Sequence, residues 1–332
     1  MKILVVGGAG YVGSVTVERL LAHNHSVIVL DNLCRGHAEA VNSKAKFIDG
    51  DMGDQAVLSS IFEAEKIDAV MHFGALSLVG QSVEQPAVYF KNNVSNGIVL
   101  LDTMLAHGVK KFVFSSTAAV YGEPHTYPIT EDFPLVPTSP YGDSKLAFEK
   151  ILKWYANAYG MMYTALRYFN VAGATETAGE EHDPETHLIP LVLQVARGDR
   201  PHVTIFGDDY STPDGTGVRD YIHVVDLANA HLLAIEALKT PGQANVYNLG
   251  SGTGFSVKQI IDVALKVTGK PIPTKIGPRR AGDPSVLVAS SKLIQDELGW
   301  QPEFGALEKI IGDAWNWHRK NPKGYKREQA NV

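Results

Sequence analysis

A tyrosine and a lysine four residues apart are the side chains of this sequence best suited to move a proton. Tyr141 and Lys145 follow Ser139 and Pro140, which can cap a helix and occupy its first turn, so the pair shares one helix face. A phenol with an ordinary pKa near ~10 is a poor base at neutral pH. Because a nearby ammonium and the positive charge of a nicotinamide both favour the phenolate, we expect Lys145 and such a cofactor together to lower the pKa of Tyr141.

Hydroxyl groups at the end of an apolar run form the second part of this arrangement. Ser115, Ser116 and Thr117 close such a run, and the Thr117 hydroxyl can hydrogen-bond both a phenolate and a substrate. A tyrosine–lysine pair alone is more often a pair of surface residues. Thr117, Tyr141 and Lys145 become a catalytic hypothesis for alcohol–ketone chemistry only if a nucleotide-binding turn accompanies them.

A glycine-rich turn near the start of the chain supplies that signal. Gly7, Gly10 and Gly13 let a diphosphate approach backbone N–H groups at a helix N-terminus, although an ordinary tight turn has a similar composition. Asp31 ends the next apolar run, where a carboxylate accepts both hydroxyls of a ribose. Because that anion repels a 2′-phosphate, the predicted cofactor is NAD rather than NADP, with Arg35 as the residue that weakens this preference.

These groups need a scaffold that brings several strand ends together. Short apolar runs predict buried strands at 3–6, 26–30, 46–48, 69–72, 111–115, 163–167 and 245–249. Amphipathic patterns between them predict helices at 15–21, 55–65, 96–106 and 141–158. The alternation predicts an α/β protein with a Rossmann-type doubly wound parallel sheet. Asp51, Met52 and segment 73–75 follow predicted strands, at the sheet edge where ligands collect.

The second half of the chain is organised differently. Proline, glycine and aspartate are dense at 173–184, 207–217 and 271–284, in loops of a length typical of functional segments. We predict an NAD-binding Rossmann domain over 1–170 plus about 221–250. A smaller α/β domain is predicted over about 171–220 and 251–332.

Composition narrows the class of protein. The 332 residues include 30 basic and 36 acidic side chains, a net charge of −6 that argues against nucleic acid as the main partner. The one cysteine, Cys34, fits a reducing compartment, and we expect its side chain to be at least partly buried. Apolar runs are too short to span a membrane, and the early glycines do not fit a signal peptide. A cytoplasmic protein without membrane contact is predicted.

Motifs along most of the chain carry a family resemblance. They are GGAGYVG, LDNL, HFGA, FSSTAAVYG, SPYGDSK, LRYFNVAGA, DGTGVRDYIHVVDLA, YNLGSG and PRRAGD. With them the sequence resembles the extended short-chain dehydrogenase/reductase family, in its branch that acts on nucleotide sugars. The resemblance implies that the smaller α/β domain is the nucleotide-sugar-binding domain. The resemblance implies interconversion of UDP-glucose and UDP-galactose by NAD-dependent C4 epimerisation, through a 4-keto sugar.

The resemblance also implies the residues of the site. For NAD, in addition to the glycines, they are Tyr11, Val12, Asp31, Asn32, Asp51, Met52, Phe73, Gly74, Ala75, Asn92, Tyr141, Lys145 and Phe169. For the UDP-sugar they are Thr117, Tyr141, Asn170, Leu188, Thr204, Phe206, Arg219, Arg280, Asp283 and Leu287. Arg219 and Arg280 are the natural partners of a diphosphate, although Arg219 could instead pair with Asp220 and Arg280 could be solvated.

Three positions depart from the family pattern. Ser77 replaces a lysine, His187 replaces an asparagine before Leu188, and Leu287 stands where a tyrosine is common in the best-known bacterial members. They leave open which sugars are accepted besides UDP-glucose and UDP-galactose. His182 and His187 are five residues apart, which fits no standard zinc spacing, so we expect a solvated loop and no metal.

Other functions remain open on the same scaffold. A 4-epimerase of a UDP-N-acetylhexosamine, a UDP-pentose or UDP-glucuronate would need the same groups, and a non-catalytic nucleotide-binding regulator could share the fold. A 4,6-dehydratase would need an acid/base pair directly after the hydroxyl residue, where this sequence has Ala118 and Ala119. A homodimer is expected through helices 96–106 and 141–158. The second of these helices carries Leu146, Ile151 and Trp154, which are more apolar side chains than a single stripe facing the core would need.

Overall fold

The computed structural model describes residues 1–279 and 284–325. Within them the strands are β1 (Lys2–Val6), β2 (Ser26–Asp31), β3 (Lys46–Asp49), β4 (Ala69–His72), β5 (Lys111–Ser115), β6 (Met162–Tyr168), β7 (Asn170–Ala172), β8 (Val203–Phe206), β9 (Val218–His223), β10 (Ala244–Leu249), β11 (Gly254–Ser256), β12 (Thr274–Gly277) and β13 (Val286–Leu287). The helices are α1 (Tyr11–Ala22), α2 (Gln55–Ala64), α3 (Val79–Glu84), α4 (Pro86–Phe90), α5 (Asn96–Ala106), α6 (Pro140–Tyr159), α7 (Leu188–Arg197), α8 (Val224–Ala237), α9 (Val257–Thr268), α10 (Lys292–Leu298) and α11 (Leu307–Lys320).

The largest sheet contains seven strands of the described chain in the order β10-β6-β5-β4-β1-β2-β3. Every neighbouring pair is parallel, and Val6 of β1 lies opposite both Leu30 of β2 and His72 of β4. The residues that follow these strands therefore meet at one edge. The strand order reverses at β1, as in doubly wound sheets, and the predicted α/β fold is confirmed.

Alternation along β1 explains why both faces of this sheet are covered. Leu4 and Val6 belong to an apolar core with α2, α5 and α6, whereas Ile3 and Val5 belong to a second core with α1 and α8. Helices on both faces remove apolar surface from water on each side, which is the main favourable contribution to folding.

A third apolar core lies outside this sheet. It is built from α7, α9 and α11 together with β8, and two small sheets, β11-β9-β13 with β7 and β12-β8, lie beside it. The chain returns from this region to the large sheet at β10, which pairs with β6. In the described residues, no helix combines the length and apolar character needed to cross a membrane.

Candidate active site

One cleft of about 1720 Å³ brings the predicted residues together. Every described residue that we predicted for cofactor or substrate lines it, from the glycine turn after β1 to Leu287 on β13. The predicted residues Arg280 and Asp283 lie outside the described residues. Residues 280 positions apart in sequence, Gly7 and Leu287, thus line the same cleft because the parallel sheet and β13 bring them together.

The glycine turn allows two backbone segments to approach each other at the floor of the cleft. Gly7 has a φ of +78°, a conformation that residues with a Cβ rarely adopt. A Cβ on Gly7 would lie 2.4 Å from the Gly74 nitrogen, and one on Gly13 would lie 2.2 Å from the Gly7 oxygen. Since α1 begins at Tyr11, directly after Gly10, its N-terminal N–H groups open onto the same cleft.

Carboxylates line the cleft beside this turn. Asp31 is 9% exposed, and its oxygens accept hydrogen bonds from the backbone N–H groups of Ala9 and Leu33. Burial raises the pKa of Asp31, and these two hydrogen bonds oppose the effect. The Asn32 amide donates to Asp51 at 2.7 Å, which links two neighbouring strand ends.

This end of the cleft fits a dinucleotide. The cradle at Gly7 and Gly13 has no room for side chains but leaves backbone accessible from the cleft, which suits a diphosphate. Asp31 retains acceptor capacity beyond its two backbone donors, as a carboxylate that binds ribose hydroxyls requires. The residues present therefore fit NAD.

Tyr141 lies in the first turn of α6 and faces the cleft. Burial raises its pKa above the ordinary value, Tyr168 raises it further, and the Thr117 hydroxyl lowers it. Lys145 is not among the groups that shift this pKa, because its ammonium is directed elsewhere. Desolvation of the phenolate outweighs the stabilisation by the surrounding side chains, so the lowered pKa expected with a bound nicotinamide stays a prediction.

Lys145 is directed to a different group. Its buried ammonium donates to the backbone oxygen of Ser115 at 2.7 Å and lies 4.7 Å from the centre of the Phe114 ring. Burial lowers the pKa of Lys145 to about 7, and Glu149, one helical turn further along, opposes that shift. The ammonium group is therefore held at the end of β5 and is not directed at the Tyr141 hydroxyl.

Behind Lys145, a buried ion pair joins α6 to β6. Arg167 donates to both carboxylate oxygens of Glu149, at 2.6 and 3.0 Å, and to the Tyr121 hydroxyl at 2.9 Å. The Ser116 hydroxyl donates to the same carboxylate. This network fixes the face of α6 that carries Tyr141 and Lys145 against the strand ends.

The opposite wall of the cleft contains the residues predicted for the UDP-sugar. Asn170 donates to the Asp220 backbone oxygen at 3.1 Å, and Leu287 lies opposite Arg219 in the parallel pair β13–β9. Leu188, Thr204 and Phe206 line the same wall. Asp220 is fully buried, and its carboxylate accepts from the backbone N–H groups of Ser251, Gly252 and Ala289.

The segment around His182 and His187 is a loop with an exposed His187, as expected, but it also encloses a buried carboxylate. Glu180 is buried, and its carboxylate lies 3.3 Å from Nδ1 of His182 and 2.9 Å from Nδ1 of His187. Burial alone would lower the pKa of both histidines, but the carboxylates of Glu180 and Glu185 raise them, to about 9 for His182 and about 10 for His187. Cys34, expected to be partly buried, is exposed.

Sequence reasoning missed several functional candidates. Tyr168 lines the cleft and hydrogen-bonds the Ser115 hydroxyl, and Glu149 and Arg167 support Lys145 from behind. A sequence signal existed for Glu149 alone, because it lies four residues after Lys145 on the same helix face. Nothing in the sequence indicated that Glu180 and Glu185 would meet the two histidines.

A doubly wound parallel sheet with a glycine-lined dinucleotide cleft and a tyrosine–lysine pair defines a nicotinamide-dependent enzyme of the short-chain dehydrogenase class. The sequence model of the NAD dependent epimerase/dehydratase family matches residues 3–250. The chain belongs to this family.

Several named proteins are similar to this chain in sequence and in structure. It is 56% identical to a UDP-glucose 4-epimerase of Halalkalibacterium halodurans over 330 residues, which cover 99% of this chain and 98% of the relative. A crystal structure of a UDP-glucose 4-epimerase superimposes with a TM-score of 0.96 at 52% identity, over 98% of this chain and 100% of the other. The UDP-glucose 4-epimerase of Bifidobacterium longum, solved in complex with NAD+ and UDP, gives a TM-score of 0.92 at 41% identity, over 98% and 100%.

Proposed function

We propose that this chain interconverts UDP-glucose and UDP-galactose by epimerisation at C4, through a 4-keto sugar, with NAD as its cofactor. The observation that carries this proposal is the single cleft in which the dinucleotide cradle, the Thr117–Tyr141–Lys145 group and the predicted UDP-sugar wall are continuous. Full-length similarity to UDP-glucose 4-epimerases supports the choice of substrate.

The cofactor end is assigned to the residues after β1, β2, β3 and β4. The backbone at Gly7, Gly10 and Gly13 would hold the diphosphate, because its N–H groups are accessible from the cleft. Asp31 would bind the ribose, because its carboxylate is held in place and can accept hydrogen bonds from the ribose hydroxyls. The remaining cofactor residues of this proposal are Tyr11, Val12, Asn32, Asp51, Met52, Phe73, Gly74, Ala75, Asn92 and Phe169. When bound, NAD supplies the acceptor and donor of the hydride at C4.

The proton-transfer end is assigned to Tyr141, with Thr117 and Lys145. Tyr141 takes the proton of the C4 hydroxyl and returns it, and Thr117 bridges phenol and sugar through its hydroxyl. Lys145 lies one helical turn after Tyr141 and places its ammonium group at this end, where it donates a hydrogen bond to the Ser115 carbonyl. Burial raises the pKa of Tyr141 and the Thr117 hydroxyl lowers it, and the positive charge of a bound cofactor would favour the phenolate further.

UDP is assigned to the opposite wall. Arg219 and Arg280 are proposed to bind the diphosphate, because a planar guanidinium matches two phosphate oxygens. Asn170, Leu188, Thr204, Phe206, Asp283 and Leu287 complete this set. Binding concentrated on UDP leaves the sugar free to turn over between the two half-reactions, and remote binding energy then serves the reaction at C4.

A homodimer is part of the proposal, but its contact surface is smaller than the sequence indicated. Leu146 packs inside a core with Phe169, and Ile151 packs against the α2–α5–α6 core. Trp154 is 71% exposed on the outer face of α6, with Tyr159 on the same helix 53% exposed. We propose that two copies meet on this face, in the cytoplasm.

The division of the chain into two domains, with boundaries at about 171, 221 and 250, is likewise proposed.

A turnover assay tests the proposed reaction. Purified protein without added cofactor is incubated with UDP-galactose, and product UDP-glucose is measured by a coupled dehydrogenase. We expect turnover and one NAD released per chain on denaturation, since the cofactor is regenerated in each cycle. A panel with UDP-N-acetylglucosamine, UDP-xylose and UDP-glucuronate separates the other 4-epimerases, and loss of water from the sugar would identify a dehydratase. No turnover with any of these sugars would contradict the proposal.

A further inference from the structure

We propose that Glu180, His182, Glu185 and His187 form a zinc site beside the cleft, which nothing in the proposed reaction uses. The four side chains come from one short segment between β7 and α7. One ligand atom from each lies within 4.8 Å of all the others. A set of two imidazoles and two carboxylates is a ligand set for a first-row divalent ion.

The four histidine–carboxylate separations are close to the edge length of a zinc tetrahedron. Nδ1 of His182 lies 3.3 Å from Glu180 and 3.6 Å from Oε2 of Glu185, and Nδ1 of His187 lies 2.9 Å from Glu180 and 3.1 Å from Oε1 of Glu185. Ligands at the usual ~2.0–2.1 Å from zinc are about 3.3 Å apart in a tetrahedron. The four distances surround that value, and since they involve both oxygens of Glu185, this carboxylate would turn or bind through both oxygens when an ion enters.

The state of His182 points independently to a ligand. Its Nδ1 is inaccessible to solvent and lies 3.3 and 3.6 Å from two carboxylates, in ion-pair range but without a well-aligned hydrogen bond to a described residue. A buried polar atom without a partner is uncommon in folded proteins. A metal ion between the four groups would satisfy this nitrogen.

Glu185 is already oriented for this role. Its Oε1 accepts hydrogen bonds from the backbone N–H groups of Thr186 and His187, which fixes the carboxylate, and Oε2 faces His182. Outer hydrogen bonds of this kind commonly hold metal-binding carboxylates in place.

Charge and ligand chemistry favour zinc. Without metal the two protonated histidines balance the two carboxylates, so zinc would displace two protons, and its charge would then neutralise the −2 of two carboxylates with two neutral imidazoles. Magnesium and calcium prefer oxygen ligands only, whereas zinc binds imidazole and carboxylate together. Four protein ligands close the tetrahedron, as in structural zinc sites, so the ion would have no open position for a substrate.

The position of the site defines what zinc would do. The His182 ring packs edge-on against Tyr11 at 6.5 Å, and His187 directly precedes α7, whose first residue, Leu188, lines the cleft. A second cavity of about 720 Å³ reaches Glu180, His182 and Glu185 from the other side, which provides an entry path. Zinc would therefore tie the segment over the dinucleotide cradle to the start of the wall proposed for UDP.

The test uses the full chain, loaded with its cofactor and freed of any affinity tag and of metal by a chelator. Zinc is titrated by calorimetry, and thermal unfolding is followed with and without it. We expect one zinc per chain, with a Kd below about 1 µM, and a rise in Tm that the chelator reverses. The double variant His182→Gln/His187→Gln should bind zinc at least ~100-fold more weakly, while His23→Ala, which removes an exposed histidine directly after α1, should bind as the wild type.

X-ray absorption of the zinc-loaded wild type gives a readout that does not depend on the folding of any variant. We expect four nitrogen or oxygen neighbours at about 2.0 Å with the multiple scattering of two imidazoles. A Kd weaker than about 100 µM, zinc binding that the double variant retains, or sulfur from Cys34 as a ligand would each overturn the proposal.

Discussion

Arg167 on β6 holds Glu149 on α6 through two hydrogen bonds in a position where the side chains are only 5% and 6% exposed. The pair lies directly behind Lys145, because Glu149 is one helical turn further along. Because these two charges are removed from water, each is stabilised mainly by the other. The pair therefore couples the stability of the large sheet to the position of the catalytic helix.

Removal of one partner should show this coupling. We expect Arg167→Leu to lower the free energy of unfolding by about 3–5 kcal/mol, because it leaves the Glu149 carboxylate buried and unpaired. Urea unfolding at pH 7 measures the change. Lys292→Met, which breaks an exposed pair with Asp296 on α10, is the control and should change the unfolding midpoint little. An equal loss in both variants would show that the burial of the pair has no energetic importance.

Tyr141→Phe should reduce turnover with little change in UDP affinity. Positioned proton transfer contributes about 10²–10⁴-fold, and the variant retains the ring but not the hydroxyl that interacts with Thr117. Steady-state kcat with UDP-galactose and calorimetric binding of UDP measure the two effects. Tyr127→Phe, at a tyrosine that is 62% exposed, should behave as the wild type. A Tyr141→Phe variant with more than about half of the wild-type kcat would remove this residue from the mechanism.

A buried histidine predicts loss of stability in mild acid. His72 ends β4, is fully buried among Phe112, Phe114 and Phe148, and has a pKa lowered to about 3, by burial first and by Lys145 second. Between pH 6.5 and 3 the unfolded chain binds a proton at this position that the folded chain does not. Its contribution to stability is therefore complete above pH 6.5 and is lost as the pH falls towards 3.

His72→Leu should reduce this sensitivity to acid. The wild type is expected to lose about 2 kcal/mol more than the variant between pH 7 and pH 5, since 1.5 pH units below an unfolded pKa of ~6.5 correspond to that free energy. Urea unfolding at both pH values gives the difference. His125→Leu, at an exposed histidine, is the control and should keep the wild-type pH response. If His72→Leu loses as much stability as the wild type, the histidine does not titrate as described.

Leu287 should determine which sugars fit. It packs partly buried beside Phe169 and Ala118 and lines the cleft, where a tyrosine ring would occupy space that an N-acetyl group needs. We expect the wild type to convert UDP-N-acetylglucosamine and Leu287→Tyr to lose that activity while UDP-galactose turnover is retained. Leu287→Met, of similar volume, should preserve both activities. Equal losses for both sugars in Leu287→Tyr would show that other residues limit the substrate range.

Trp154→Asp should weaken the proposed dimer. A charge on the exposed face of α6 makes desolvation of that face costly, so light scattering should show a shift towards monomer mass at micromolar concentration. Leu265→Asp changes a side chain that is 50% exposed on α9 and should leave the mass unchanged. A wild type with the mass of a monomer would contradict the proposed contact.

The sequence predicted most strands because their apolar runs are buried on both faces. The predicted bounds of β4 and β5 agree with the structure, and β1, β2 and β3 differ by one residue. Local pattern also placed Tyr141 and Lys145 on one helix face. It could not predict where the Lys145 ammonium is directed, because Ser115 lies thirty residues earlier and only the packing of α6 on β5 brings its carbonyl within reach.

The histidine segment shows the same limit more clearly. Hydrophobic periodicity gives no information about a loop, and the spacing of His182 and His187 matches no helix or strand pattern. Their environment depends on Glu180 and Glu185, which the loop folds towards them, so a polar segment that appears solvated in sequence contains a buried carboxylate.

The position of β10 has a consequence for the growing chain. This strand covers the edge of β6, yet 75 residues separate the end of one from the start of the other. Until Ala244–Leu249 has left the ribosome, β6 has an unpaired row of backbone N–H and C=O groups, the kind of surface through which nascent chains aggregate. The hydrogen bond that the Tyr121 hydroxyl donates to Asn248 on β10 cannot form until this strand has been released as well. The dinucleotide-binding sheet therefore cannot be completed during synthesis before the segment 169–243, which includes the first part of the other domain, has been made.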